Sequence, residues 1–528
     1  MKLNLWRFLN LSLICLGFLI FGCTSDNRLR GVFGDSSIGA LNITYQKFVP
    51  PNGSESITVM GGKAPYTFSV LSGAGSVSSS GVFTAPGAPE VGKVLVSDSE
   101  GQTETLTFEV FQAGVLDKTF GTEGFLSWQP NLTSDEQGKD VLVDSQGYYY
   151  VLSHSYMGPV NQNDILVSKY SSSGILDTTF ATGGVFQYDN SGRTEVSRSF
   201  LLDSQGRLVI GGKCQMPGTS GDFCILRLTP DGALDPTFGT AGVFIHAESP
   251  GGVAEEVREI AFDSLGNIVF VGFIDDTTNT VVVGRLTPAG VLDTNFNITG
   301  IRQIDVLGLG TNAQALSVHV DSSDNIYFAG HVFVDGTTQQ VSYVIKLDNT
   351  GAYDPGFGTG GTKTFDVNTT AADFADDLIE YDGQLYLLGR VNNGVDMDAY
   401  VIRFEKSDGA IDPTFGTGGV FQWDSGNGAD KVDGSTGIMV DESGRILVLL
   451  SSNNGTDPAV ALIRLLNDGT LDSSFGTSGV EFTTISGGTS VSSRGMQFDP
   501  MGKIIVTGFN GTASNSNDIF IMRTWYEH

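Results

Sequence analysis

The phrase LDPTFGTAG at 234–242 constrains this chain more than anything else in it, because it recurs in seven copies. The others read LDKTFGTEG (116–124), LDTTFATGG (176–184), LDTNFNITG (292–300), YDPGFGTGG (353–361), IDPTFGTGG (411–419) and LDSSFGTSG (471–479). Their aspartates, Asp117, Asp177, Asp235, Asp293, Asp354, Asp412 and Asp472, lie 60, 58, 58, 61, 58 and 60 residues apart. A period held that closely demands a repeat architecture, each unit one supersecondary motif that buries its apolar face only against its neighbours.

Each period carries two further signals. One is a tight turn between apolar runs, as in FLLDSQGRLVIGG (200–212) and IAFDSLGNIVFVG (260–272), where alternating apolar residues flank Asp-Ser-x-Gly; this is a hairpin pattern. The other is a strand with one cation: Lys169, Arg227, Arg285, Lys346, Arg403, Arg464 or Arg523. A short strand such as VFQY (185–188) follows each FG-x-x-G turn. The order is therefore A (to the Asp-Ser turn), B, C (the basic strand) and D. Seven four-stranded units predict an all-β chain with a seven-bladed β-propeller. The repeat region opens with a lone D strand at 124–128 and closes with A, B and C strands over 496–524. Complementary ends predict that strand 124–128 completes the last unit and closes the ring, whereas a solenoid would need caps.

Motif, spacing and copy number resemble the delta-60 repeat of bacterial surface proteins over about 113–528. The resemblance implies a β-propeller in an extracytoplasmic setting and no particular activity. Ala181 and Asn297 replace the FG glycine; because alanine disfavours the left-handed region, that position is expected not to need positive φ. The final glycine is present in all seven copies and is the expected backbone requirement.

Residues 1–22 pair Lys2 and Arg7 with an apolar run from Phe8 to Phe21, the pattern of a secretory signal peptide, and the run is short of the roughly 20 residues that span a bilayer. Ile20-Phe21-Gly22-Cys23 resembles the lipobox of bacterial lipoproteins, which implies lipidation of Cys23, a membrane partner through the acyl chains, and, with Thr24 following, an outer-membrane address. Residues 23–36 then form a lipidated tether. With 29 Lys+Arg against 59 Asp+Glu, the net charge of −30 repels nucleic acid, and no basic stripe in the sequence offsets it.

From 37 to 112 the pattern changes to non-repeating short strands broken by Gly, Pro and Ser, which predicts a small β-sandwich. GGKAPYTFSVLSGAGSVSSSGVFTAP and VSDSEGQTETLTFEV resemble bacterial immunoglobulin-like surface modules, which implies a spacer. Of four cysteines, Cys15 lies in the signal and Cys23 at the lipobox; Cys214 and Cys224 flank one B–C loop and are a disulfide candidate, the alternative being two reduced thiols.

Catalytic signatures are missing from the sequence. The five histidines (His154, His246, His319, His331, His528) fall singly, and neither a G-x-S-x-G nor a Walker motif occurs. No cofactor is expected. Asp275, Asp276, Asp396 and Asp398 are read as solvated loop acids or contacts to a divalent cation, leaving the metal unknown. Phe120, Phe180, Phe238, Phe296, Phe357, Phe415 and Phe475 recur too often for catalysis and read as wedges between blades. The C-strand cations read as partners of the A–B or LD aspartates, an anion-binding ring being the alternative. The variable B–C and D–A loops share one acidic face, where binding residues on a rigid scaffold belong. The expected function is a monomeric, surface-displayed outer-membrane lipoprotein that acts without catalysis as a binding or adhesion scaffold for a protein or glycan. A periplasm-facing assembly scaffold and a propeller enzyme are the alternatives, the enzyme requiring a clustered catalytic set in the central channel.

Overall fold

A computed structural model describes residues 40–526 apart from short segments at 50, 88–89, 129–134, 157–162, 250–251, 277–278, 305, 307–311, 335–338, 369–370, 427–433, 486 and 512–516. The signal peptide, Cys23 and the tether lie outside the described residues. The chain divides into two compact units at Gln112/Ala113. Both are all-β, without a helix among the described residues.

In the first unit Phe48–Val49, Thr103–Val110, Glu90–Ser97 and Thr67–Ser72 form one sheet in that order, beside a three-stranded and a two-stranded sheet. Alternate residues of Glu90–Ser97 point inward, burying Val94 and Val96. They meet Leu106, Phe108 and Phe83 in one core, where the rings of Phe83 and Phe108 stack at 4.1 Å.

The second unit, Ala113–Glu527, contains seven four-stranded antiparallel sheets among the described residues. Six run A-B-C-D in chain order; Glu195–Leu202, Leu208–Cys214, Asp222–Leu228 and Val243–His246 are one example. The seventh takes A, B and C from Ser490–Phe498, Lys503–Gly511 and Asn517–Trp525, and D from Phe125–Trp128, which pairs with Ile519–Met522. The A strands are Glu136–Val143, Glu195–Leu202, Glu255–Phe262, Gln314–Val320, Asp373–Tyr381, Gly434–Val440 and Ser490–Phe498. Each contacts the next, and the last contacts the first, which is a propeller-like ring.

The repeated motif stitches these sheets together. Every motif phenylalanine is at most 2% exposed. A Cβ on Gly232, Gly290 or Gly351 would sit 2.7–2.8 Å from Phe180, Phe238 or Phe296, so each ring wedges against the C–D turn of the following sheet. In five copies the residue after the Phe donates its N–H to that same turn: Ala181 to Asp231, Gly239 to Ala289, Asn297 to Thr350, Gly358 to Asp408 and Gly416 to Asp468. Aiming that N–H outward requires the left-handed region, and the position has φ of 47° at Ala181 and 45° at Asn297, like the glycines. The expectation that Ala181 exempts this position from positive φ is therefore wrong; the inter-sheet hydrogen bond outweighs the strain of roughly 1–2 kcal/mol. The final glycine also has positive φ in all seven copies.

The C-strand cations bond the LD aspartates throughout. The contacts are Arg227–Asp235, Arg285–Asp293, Lys346–Asp354, Arg403–Asp412 and Arg464–Asp472 at 2.8 Å, Arg523–Asp117 at 2.7 Å and Lys169–Asp177 at 3.5 Å. Most reach further, to a carbonyl of the following sheet's C–D turn: Arg227 to Pro288, Arg285 to Asn349 at 2.7 Å and Arg523 to Ser172. Cys214 and Cys224, on adjacent B and C strands with Cα atoms 5.4 Å apart, are joined by a disulfide.

Candidate functional site: a cation-lined lumen

Every A strand is interrupted by a bulge at the same place. Pairing with the B strand skips Lys139, Arg198, Arg258, Leu316, Asp376, Thr436 and Arg494. A bulged residue has no cross-strand partner and the strand bends there, so its side chain is re-aimed. All seven residues line a single cavity of about 200 Å³ to which every A strand contributes. It is the lumen of the ring.

Three arginines and a lysine thus face one small space in a chain of net charge −30. Arg198 and Arg258 converge on Glu256 Oε1, the latter at 3.2 Å. Arg390, from a B strand, makes a two-pronged bond with Asp376 at 2.7 and 2.9 Å. Lys139 and Arg494 have no carboxylate partner among the described residues. Lys139 bonds Gln137 Oε1 at 2.8 Å, and both cations lie over the Phe509 ring, 5.6 and 5.5 Å from its centroid. Burial, with Arg198, Arg494 and Arg258 nearby, pushes the Lys139 amine down to about 6. Burial and the same crowding push Arg258 and Arg494 down. Burial alone would raise Glu256, but Arg198 and Arg258 outweigh it and hold the carboxyl low.

The residues one step further along carry a second set. Burial pushes Asp140 up to about 7, with Asp377 adding to it. Glu259 and Asp377 are likewise pushed up by burial, Asp377 also acting on Glu259. These carboxyls are occupied by backbone. Glu259 Oε2 accepts the Val318 N–H at 2.5 Å, and Asp377 accepts Leu378 and Ile438 at 2.8 and 3.0 Å. Asp140 accepts Val141 at 2.8 Å, where a Cβ on Gly495 would lie 2.5 Å from the carboxylate. Glu259 and Asp377 thereby tie one A strand to the next, and among the bulge cations Lys139 and Arg494 are left without a carboxylate partner among the described residues.

Sequence reading missed this ring. Cations about 60 residues apart in sequence converge in space, on a cavity that Asp140, Glu259, Asp376 and Asp377 also line. The acidic D–A connections HAESPGGVAEEVRE (246–259) and DVNTTAADFADD (366–377) run at their ends into the A strands Glu255–Phe262 and Asp373–Tyr381. The available signal was positional: Lys139, Arg198, Arg258 and Arg494 each stand five residues before the aspartate of the A–B turn. The C-strand cations are each bonded to an LD aspartate. His319 Nε2 lies 3.1 Å from Glu380, half-buried. His154 and His331 are buried with Nδ1 unpartnered, and burial lowers both, His331 to about 4.

The family described as "Domain of unknown function (DUF5122) beta-propeller" matches residues 204–238 and 443–475, two equivalent stretches that each run from an A–B turn to a motif phenylalanine. No curated protein matches. Among solved structures, a protein of unknown function from Dyadobacter fermentans is 10% identical, covering 76% of this chain and 98% of its own, with a TM-score of 0.44. A PL25 ulvan lyase is 13% identical over 74% of this chain and 95% of its own, at 0.45. The β-propeller domain of the trilobed protease from Pyrococcus furiosus is 8% identical over 75% and 96%, at 0.40.

Proposed function

We propose that this chain is an outer-membrane lipoprotein of the bacterial envelope in which a seven-bladed propeller, carried on an immunoglobulin-like spacer, serves as a non-enzymatic binding head. The ligand it takes presents a small carboxylate, sulfate or phosphate group to the lumen. One observation carries this reading: Lys139 and Arg494 face the cavity without a carboxylate partner among the described residues. Arg494, buried and crowded by other cations, is stabilised when an anion arrives, the same anion favours return of a proton to the Lys139 amine, and arginine's planar fork suits an oxyanion. The acidic loop face screens out other anions and favours a ligand whose negative charge is confined to one group.

Calorimetric titration of the mature chain with sulfate, inorganic phosphate and glucuronate tests the site. At least one should bind, and Arg494→Gln should weaken it by about tenfold, since a charge-assisted hydrogen bond contributes roughly 1.5–3 kcal/mol. No binding of any of the three would refute it. Anchoring rests on the lipobox: Cys23→Ser should release the protein from membranes or leave it as precursor, and unchanged processing and fractionation would refute that part. Protease treatment of intact cells separates surface display from a periplasm-facing assembly role.

A catalytic reading has one observation in its favour. An amine lowered to about 6, as at Lys139, is neutral at physiological pH and suited to general-base work. Retention of ligand affinity with loss of turnover in Lys139→Met would select it.

A further inference from the structure

Away from the lumen, Asp164 opens a C strand, Asp189 follows the D strand of the same sheet, and Glu195 opens the next A strand. One carboxylate oxygen from each lies within 4.8 Å of the other two. Asp189 is exposed, whereas Asp164 is 4% and Glu195 0% exposed. Glu195 Oε2 accepts the Asn190 N–H at 3.3 Å, but its Oε1 is buried without a hydrogen-bond partner. Unpartnered buried carboxylate oxygens are costly, and two further carboxylates alongside increase the cost. The neighbouring Arg193 acts on Glu195 through its charge, and its guanidinium donates to the Asn190 carbonyl at 3.0 Å.

A second sheet repeats the arrangement. Asp398 stands five residues before Arg403 as Asp164 stands five before Lys169, and Asp424 follows its D strand as Asp189 does. Asp396, Asp398 and Asp424 again bring three carboxylate oxygens within 4.8 Å. The same two register positions thus converge in sheets far apart in sequence.

We propose that Asp164, Asp189 and Glu195 form a divalent-cation site that takes calcium in preference to magnesium. Calcium–oxygen distances of about 2.3–2.6 Å let one ion span oxygens up to roughly 5 Å apart, whereas magnesium, at about 2.0–2.1 Å, reaches little beyond 4 Å. All-oxygen donors suit calcium, and an ion here supplies Glu195 Oε1 with its missing partner. The site joins a C strand, a D–A connection and the next A strand, so occupancy stiffens the junction between sheets. The inference stands independently of the anion-binding lumen.

Calorimetry and melting of the mature chain with calcium chloride, against magnesium chloride at equal ionic strength, test it. Calcium should bind with a Kd on the order of 0.1–1 mM, as in extracellular modules, and raise the melting temperature more than magnesium does. Asp189→Asn, at an exposed position that leaves the core untouched, should weaken the site by about tenfold or more. Glu195→Gln should do the same while melting no lower than wild type without calcium. Glu442→Gln, at an exposed acid elsewhere, should change nothing. Absence of calcium binding, equal responses to both metals, or an equal loss in Glu442→Gln would each overturn the proposal, the last by showing that only net charge attracts the ion.

Discussion

Replacing Asp140 by Asn probes the lumen's electrostatics. Asn keeps an oxygen for the Val141 N–H, bonded at 2.8 Å, and removes only the ionisable group. Burial pushes this carboxyl from 3.8 up to about 7. A raised pKa in the folded state means the contribution to stability is complete below the unfolded value, declines as pH rises from about 4, and is lost by about pH 7. At about 1.4 kcal/mol per pKa unit the wild type gives up at most about 4 kcal/mol by pH 8 relative to pH 3, a ceiling because Asp140 is only partly shielded from lumen solvent. Asp140→Asn escapes that decline. A unit of 415 residues at about 2.1 cal/mol/K per residue converts the ceiling into about 4–5 °C. Scanning calorimetry of both proteins at pH 4, 6 and 8 reads the difference, so titrations common to both cancel. The variant should match wild type at pH 4 and melt above it at pH 8. A variant that melts below wild type at pH 8 would refute the reasoning, since Asp140 would then be an ionised partner of the lumen cations.

Arg227→Ala should lower the melting temperature, because it strips buried Asp235 of its nearest cation and leaves only Arg207 at 3.5 Å, a loss of at most about 3–5 kcal/mol, while affinity for any lumen ligand in the folded fraction stays unchanged. Ala181→Gly should stabilise by about 0–1 kcal/mol, since it relieves left-handed strain at φ 47° but adds backbone entropy to the unfolded chain; a clear loss of stability would contradict the account of that turn. Deleting 113–128 strips the seventh sheet of its D strand and of Asp117, which bonds Arg523 and Lys503, and should lower the melting temperature of the whole ring; independent melting of 136–485 in hydrogen exchange would refute cooperative closure.

Much of the architecture was legible because the chain repeats what it cannot change. Phe238 and its six equivalents must fill one kind of wedge, and Asp235 must meet Arg227, so both types recur at readable spacing. Missing complementary strands at the two ends pointed to the pairing of Phe125–Trp128 with the C-terminal strand. The lumen was not legible, because a bulge leaves no composition signal: Arg198 sits between Ser197 and Ser199 like any outward-facing strand residue. Nor did residue type reveal Ala181, where an inter-sheet hydrogen bond outweighs intrinsic preference. The acidic trio was hidden because Asp164, Asp189 and Glu195 belong to three elements and meet only across a sheet junction.

The unevenness of the lumen position is itself evidence about its role. A position that packs one sheet against the next receives the same demand seven times and answers it with one residue, as the motif phenylalanines do. The bulge has the same backbone geometry in every sheet, yet it holds Lys139, Arg198, Arg258, Leu316, Asp376, Thr436 and Arg494. Packing does not account for such diversity among equivalent sites, because the side chains differ in charge, shape and volume. What distinguishes the seven positions is the direction each faces around the lumen. An object inside the lumen that lacks sevenfold symmetry makes a different demand on each. The ligand proposed above, with its anionic group toward Arg494 and Lys139 and an apolar or neutral side toward Leu316 and Thr436, would have that asymmetry.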